Sequence, residues 1–289
     1  MIGFFNVIKP TGVSSTYIVS KVKRFTKEKR VGHLGTLDPA ASGVLPVAVG
    51  KATKFFDYFL NKDKVYYAIA EFGVETNSLD SEGQVLKTQK SGVSKDKIQN
   101  VLNNFVGSIS QVPPMFSAVK IDGKAAYELA REGKSVELKS RTVNIFSIEL
   151  LEEISSNSFS FRIHCSAGTY IRSLLVDIAH SLGEIANVPV IIREKSGPFE
   201  IDCAVTLQDL EFNSTKYIIP IEDVFCDLQR IEFFEKDHKK VLNGVAVSKR
   251  DYDIDNGQEF LGYVNGKLFG LFEVACNDLK CKINVYEGE

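Results

Sequence analysis

The sequence predicts an α+β fold: a large domain over residues 1–224 with a central mixed or antiparallel sheet flanked by helices, and a small all-β module over 225–289. Three observations point there. Ser158 to Cys165 alternates cleanly, with Phe159, Phe161, Ile163 and Cys165 on one face and Arg162 and His164 on the other. Apolar residues recur at helical spacing in 94–107 and again after Gly168-Thr169. From about Cys226 the texture changes to short apolar runs punctuated by Gly244, Gly257, Gly262, Gly266 and Gly270.

In chain order, Phe4 to Ile8 reads as a strand closed by the turn Lys9-Pro10-Thr11-Gly12. Ser14 and Ser15 can cap a helix whose stripe is Ile18, Val19, Val22 and Phe25. Its other faces carry Lys21, Lys23, Arg24 and Lys27, either a solvated surface or a phosphate-contacting one. Val44 to Val49 is an apolar strand, and Thr53 to Leu60 a helix buried through Phe55, Phe56, Phe59 and Leu60. Lys64 opens a strand with Tyr66, Ala68, Ala70 and Phe72 on one face and Tyr67, Ile69 and Glu71 on the other.

Asn77 to Gly83 is a turn-rich loop, and Ser94 to Gly107 a capped amphipathic helix. Residues 111–137 mix Pro113-Pro114, aromatics, Lys120, Lys124, Arg131 and Lys134, which fits either a surface hairpin with an exposed helix or an RNA-holding arm. Thr142 to Leu151 is a strand. In the helix after Thr169 the stripe leaves Arg172 in the first turn, where a cation opposes the helix dipole and calls for a carboxylate partner. Val188 to Ile192 is a buried strand followed by Arg193-Glu194-Lys195. Asn265-Gly266 joins two strands as a hairpin in a module of about 60 residues.

The bulk numbers exclude several classes. The chain has 289 residues, 44% hydrophobic and 25% charged, ordinary for a globular protein of one large and one small domain. No run approaches the roughly 18 apolar residues of a membrane span, and the start MIGFFNVIKPTG lacks the basic region of a signal peptide. The cysteines at 165, 203, 226, 276 and 281 are scattered without a C-x-x-C, which suggests reduced thiols in a cytoplasm and no zinc. Net charge is −2, yet residues 21–30 hold six bases against one acid, so any nucleic acid must be gripped by a local basic face.

The chain is organised around Arg30 to Gly43, RVGHLGTLDPAASG, which holds the only Asp before Asp57. Gly32 and Gly35 permit unusual backbone angles, and Pro39 restrains Asp38. An acid in so constrained a loop, with His33 five residues earlier, is either a turn or helix cap or a catalytic group.

Four stretches together, GHLGTLDPAASGVLPVAVGKATK, KVYY, PPMFSAVKIDGKAAYELAREG and CSAGTYIRSL, resemble in order and spacing the TruB-type tRNA pseudouridine synthases, which isomerise uridine 55 in the T arm. The resemblance runs from Phe5 to Arg193, and the C-terminal module is similar in size and place to that family's PUA domain. It implies a pseudouridine-synthase catalytic domain acting by base flipping and without a cofactor. Asp38 of GTLDP would attack the target nucleoside, at ribose or base. Tyr66 of KVYY would stack on the flipped base and assist proton removal, and Arg172 of GTYIR would pair with Asp38. His33 would lie near the vacated base position, and Ile192 would floor the pocket. Lys9, Gly35, Tyr170 and Lys120 complete the substrate contacts expected by the same likeness. The partner implied is the tRNA T-arm stem-loop; the sequence shows no obvious interface pattern, which suggests a monomer, with no membrane and no obligate protein partner. Thr16 stands where relatives commonly carry an Asp.

The physics agrees. A base inside a folded loop must be extruded before a side chain reaches its glycosidic bond. A desolvated nucleophilic carboxylate needs a cation beside it to stay charged. Three rivals stand against this reading: a tRNA-folding chaperone, a guide-dependent relative acting on ribosomal RNA, and a metal-dependent hydrolase with an Asp nucleophile. The last would need a second acid near Asp38, and the sequence suggests none.

Overall fold

The computed structural model describes residues 1–117, 120–121, 124–126 and 138–288, and at 120–121 and 124–125 only the backbone. Among these, nine strands build one mixed sheet. Its seven-strand path runs β1 (Gly3–Lys9), β3 (Ser42–Val49), β12 (Ala186–Ser196), β4 (Lys64–Phe72), β11 (Ser158–Cys165), β10 (Arg141–Ser155) and β7 (Gly107–Gln111). The short β2 (Val31–His33) pairs with β3, and β13 (Phe199–Glu200) with β12. A separate pair, β5 (Val74–Thr76) and β6 (Val85–Thr88), flanks the Asn77–Gly83 turn. Only β3 and β12 pair in parallel on the seven-strand path, at Ile192↔Ser42 and Arg193↔Gly43. Gly43 sits there at φ +104°, and a Cβ on it would lie 2.4 Å from the Arg193 carbonyl oxygen. The close approach requires glycine.

Helices cover one face of this sheet in two groups. α1 (Ser15–Thr26), capped by the Ser14 side chain, buries Ile18 and Val22 against Phe5, Val7, Leu45 and Val47. α3 (Lys95–Leu102), capped by Ser94, and α4 (Ile171–Ser181) bury Ile98, Leu102, Leu174, Leu175 and Ile178 against Ala68, Ala70, Phe161 and Ile163. Tyr66 and Ile191 touch both groups. The seam between the two helical layers is therefore floored by these two side chains.

Several local expectations are corrected. The Thr53–Leu60 helix begins as a 3-10 turn, Gly50–Phe55, before α2 (Phe56–Leu60). The tighter winding changes the phase, so Phe56 and Leu60 face solvent while Phe55 and Phe59 stay buried. The helix capped by Ser94 ends at Leu102, and Gly107, at φ +96°, already opens β7. β12 does not stop at Ile192 but continues through Arg193 to Ser196. Of the 111–137 arm, residues 111–117 and 126 are described, with the backbone of a hairpin of two two-residue strands, β8 (Lys120–Ile121) and β9 (Lys124–Ala125). The Lys120 side chain and residues 127–137 lie outside the described residues.

The C-terminal residues form a second sheet in the order β14 (Gln229–Glu232), β16 (Glu259–Val264), β17 (Lys267–Ala275), β18 (Asp278–Asn284), β15 (Val247–Ser248). Asn265 and Gly266 turn the β16–β17 hairpin with φ of 54° and 69°, as a type I′ turn requires. The module also carries a helix, Glu235–Leu242, which the strand pattern does not suggest. One hydrophobic cluster joins the sheets: Phe4, Phe55, Phe59 and Phe225 pack with Leu261, Leu271 and Val285. The Tyr58 hydroxyl donates to Glu259 at 3.0 Å and Lys54 to the Asn284 carbonyl at 2.7 Å across the same boundary. No helix among the described residues is long and apolar enough to cross a membrane.

Candidate active site

The Asp38 loop is held from three directions. The Ser15 hydroxyl both donates to the Leu37 carbonyl and accepts from the Leu37 N–H, each at 2.9 Å. Lys9 donates to the carbonyls of Pro10, Val13 and Pro39 at 2.9, 2.8 and 3.2 Å. Arg193 donates to those of Val44, Thr36 and Gly35 at 2.7, 3.1 and 3.3 Å. A loop this short cannot satisfy its carbonyls internally, and two buried cations do so instead. Asp38 is left at the tip with its carboxylate 39% exposed.

Arg172 reaches that carboxylate. It lies in the first turn of α4, almost wholly buried, and its Nη2 donates to Asp38 at 2.5 Å and to the Phe116 carbonyl at 3.0 Å. Its Nη1 donates to the Ser78 carbonyl at 2.7 Å and to Asp80 at 3.2 Å. The orphan cation expected from the helix pattern thus has two acids. Asp80 is itself held, accepting from the Ser78 hydroxyl at 2.5 Å and the Glu82 N–H at 3.1 Å. The expectation that no second acid lies near Asp38 is corrected: Asp80 lies on the far side of the same guanidinium. Among the described residues, no group of His, Cys, Asp and Glu is placed to hold a metal ion.

A small cavity opens at this point, lined by Asp38, Ala40, Ala41, Asp80, Arg172, Val188, Pro189 and Ile191. Tyr66 stands at its side on β4, opposite Arg193 on β12. Opposed residues of an antiparallel pair share a face, so Tyr66, Arg193 and Ile191 (opposite Ala68) face the site. Ile192, opposite Tyr67, faces the other side of the sheet. The pocket floor is Ile191, not Ile192. The register of β12 breaks between Asn187 and Val190, which a strict alternation count does not reveal.

The site is cationic in its interior. Burial lowers Lys9 and Lys64 to about 8 each; Asp38 opposes the shift at Lys9, and Arg193 adds to it at both. Burial pushes the Tyr66 hydroxyl up, with Arg193 beside it acting in the opposite sense. Burial, then Arg193, holds His33 below the usual imidazole value. His33 sits half-buried at the end of β2, and its Nδ1 is buried without a hydrogen-bond partner among the described residues.

The other expected contacts divide. Gly35 adopts φ +130° and gives its carbonyl to Arg193. Tyr170 caps α4; its N–H and carbonyl are both bound by the Gln111 side chain, at 2.8 and 3.0 Å, and its ring lies 4.5 Å from the Arg141 guanidinium. Lys9 is fully buried and turned into the loop, so it positions the loop and offers no donor to a substrate. Arg193 and Asp80 do not stand out as site residues in the sequence. The one available signal for Asp80 is an acid within a polar turn, where acids are commonplace.

Comparison with known proteins places this arrangement. The description "TruB family pseudouridylate synthase (N terminal domain)" matches residues 23–171. The tRNA pseudouridine synthase B of Clostridium perfringens (strain SM101 / Type A) is 44% identical over 86% of this chain and 85% of its own. That of Clostridium tetani (strain Massachusetts / E88) is 40% identical over 94% and 95%. Among solved structures, a Cbf5-Nop10-Gar1 complex contains a chain of the same fold, with a TM-score of 0.73 and 28% identity over 99% of this chain and 84% of that one. The chain belongs to the TruB family of pseudouridylate synthases.

Proposed function

We propose that this chain converts uridine to pseudouridine at position 55 in the T loop of tRNA, with Asp38 as nucleophile. The observation that carries the reading is the 2.5 Å contact between Arg172 and Asp38 at the edge of a cavity lined by Ile191, beside which Tyr66 packs in the same hydrophobic clusters. Relatives 40–44% identical are named tRNA pseudouridine synthase B, which supports tRNA as the substrate.

The chemistry follows from the groups present. The uridine leaves its stack and enters the cavity, where the Tyr66 ring offers a stacking face. Asp38, oriented by Arg172, attacks the nucleoside at ribose or base. The N1–C1′ bond breaks, the ring turns, C5 bonds to C1′, and the bond that Asp38 formed to the nucleoside is cleaved, which returns its carboxylate. Tyr66 assists departure of the C5 proton, and N1 gains one. Substrate and product are isomers, so the reaction consumes no co-reactant. His33, whose Nδ1 has no hydrogen-bond partner among the described residues, is assigned to the place the base vacates. The two-domain organisation at 224/225, monomeric action and independence from a protein partner are parts of the same proposal.

The test is chemical mapping of pseudouridine in a whole tRNA transcript incubated with the purified chain. A single product at position 55 supports the reading. Product elsewhere, or none from an enzyme that binds the transcript, contradicts it.

A further inference from the structure

The basic run of α1 and the turn after it takes no part in the site described above, and the fold does not neutralise it. Lys23, Lys27, Lys29 and Arg30 are exposed and make no ion pair among the described residues. The one acid in the run, Glu28, is taken by the N-terminal ammonium at 3.2 Å. Among the described residues, Arg24 is the one cation of the run in an ion pair, with Glu211 at 3.0 Å and both side chains more than half exposed. The helix dipole favours Lys23 and Arg24 in the last turn. It gives no reason for three further cations at and beyond the cap, where they repel one another on a protein of net charge −2.

The position of the row is the second observation. Its helix starts at Ser15, whose hydroxyl is bonded to Leu37, the neighbour of Asp38. After Arg30 the chain enters β2 and returns to the site at His33. The row therefore leaves the catalytic loop along a 12-residue helix, about 18 Å long, and comes back to it. We propose that this face binds backbone phosphates of the substrate RNA beyond the T-arm stem-loop that carries the target uridine. The inference rests on the reaction proposed above and deepens it. It makes recognition depend on RNA that extends past the stem-loop, through interactions that carry no sequence information.

The experiment replaces Lys23 and Lys27 by Gln together and measures binding and turnover on a whole tRNA transcript across a salt series. Removing one lysine–phosphate interaction lowers the slope of log affinity against log salt by about 0.9. The double variant is therefore expected to reduce that slope by about 1.8. Its KM for the whole transcript should rise roughly tenfold at low salt, with kcat unchanged. On a minimal T-arm stem-loop it should behave as the wild type. An unchanged slope and KM on the whole transcript overturns the proposal, as does an equal loss on the minimal stem-loop. Charge reversal, Lys23→Glu with Lys27→Glu, must deepen the effect if phosphates are the partner, and an unchanged thermal midpoint shows that the fold is kept. Binding is read separately from turnover: a wild type that binds and makes no product contradicts the reaction, while the salt slope still decides the surface.

Discussion

Arg172 donates to Asp38 at 2.5 Å across 134 positions of sequence, the guanidinium buried and the carboxylate partly open to solvent. A buried arginine aimed at a half-exposed acid fixes that acid's orientation. The same guanidinium spends its other nitrogen on Asp80, so each partner's placement depends on the other two.

Removing Asp80 should therefore be felt at Asp38. Asp80→Asn keeps the shape and weakens the hold on Nη1. Turnover is expected to fall by roughly 10- to 100-fold, the order associated with small misplacement of a reacting group, with KM within about twofold. Arg172→Met leaves Asp80 buried without its cation and is expected to cost about 3–5 kcal/mol of stability. Single-turnover kinetics and urea unfolding check the two. Wild-type turnover in Asp80→Asn contradicts the coupling.

Tyr66→Phe separates stacking from proton handling. The ring and its packing remain while the hydroxyl goes, so RNA binding should hold and turnover should fall by about 10²-fold or more, the usual contribution of a proton-transfer group. Turnover within threefold of wild type would remove Tyr66 from the proton step.

Gly43 is where β3 and β12 come closest. A Cβ there meets the Arg193 carbonyl oxygen at 2.4 Å and its nitrogen at 2.7 Å, at a φ of +104° that side chains rarely adopt. Gly43→Ala is expected to destabilise the fold by roughly 2 kcal/mol or more and to disturb the Arg193 clamp on the Asp38 loop. Thermal unfolding measures the first effect, and turnover of the folded fraction the second. A thermal midpoint equal to wild type contradicts the stated packing.

Lys9 and Lys64 give a pH signature. Folding lowers each from 10.5 to about 8. Above pH 8 the folded protein has released protons that the unfolded chain still holds, so stability rises with pH through that window. Below pH 8 both states are charged and the burial penalty stands in full. Cys165, raised from 9.0 to about 11 by burial, acts in the opposite sense above pH 9. Urea midpoints compared at pH 8 and 9 should increase, and by less in Lys64→Met. A falling or flat wild-type midpoint contradicts the burial of these charges.

Much of the site was legible in the sequence, for reasons that are local. Asp38 stood out because glycines and a proline constrain its loop, and Arg172 because a cation in the first turn of a helix needs a reason. Asp80 did not, since its burial is created by an arginine 92 positions away and a turn rich in Ser, Asn and Gly ordinarily faces water. Arg193 reads as the polar end of a strand; its pairing with Tyr66 and its bonds to the Gly35, Thr36 and Val44 carbonyls show that it turns inward onto the Asp38 loop. The family likeness puts Ile192 at the pocket floor, whereas its pairing with Tyr67 turns it to the other face of the sheet and Ile191 lines the cavity; Phe56 and Leu60 are exposed because a 3-10 turn resets the helical phase. In each case an interaction distant in sequence or a local irregularity decides what the neighbouring residues alone do not show.

The central claim is that Asp38 performs the reaction. The most direct measurement is pseudouridine formation in a T-arm stem-loop RNA by the wild type and by Asp38→Asn, with binding of the RNA measured for both. The account predicts product at the T-loop uridine with the wild type, none with Asp38→Asn, and comparable binding. Product from Asp38→Asn at a rate near that of the wild type would contradict it.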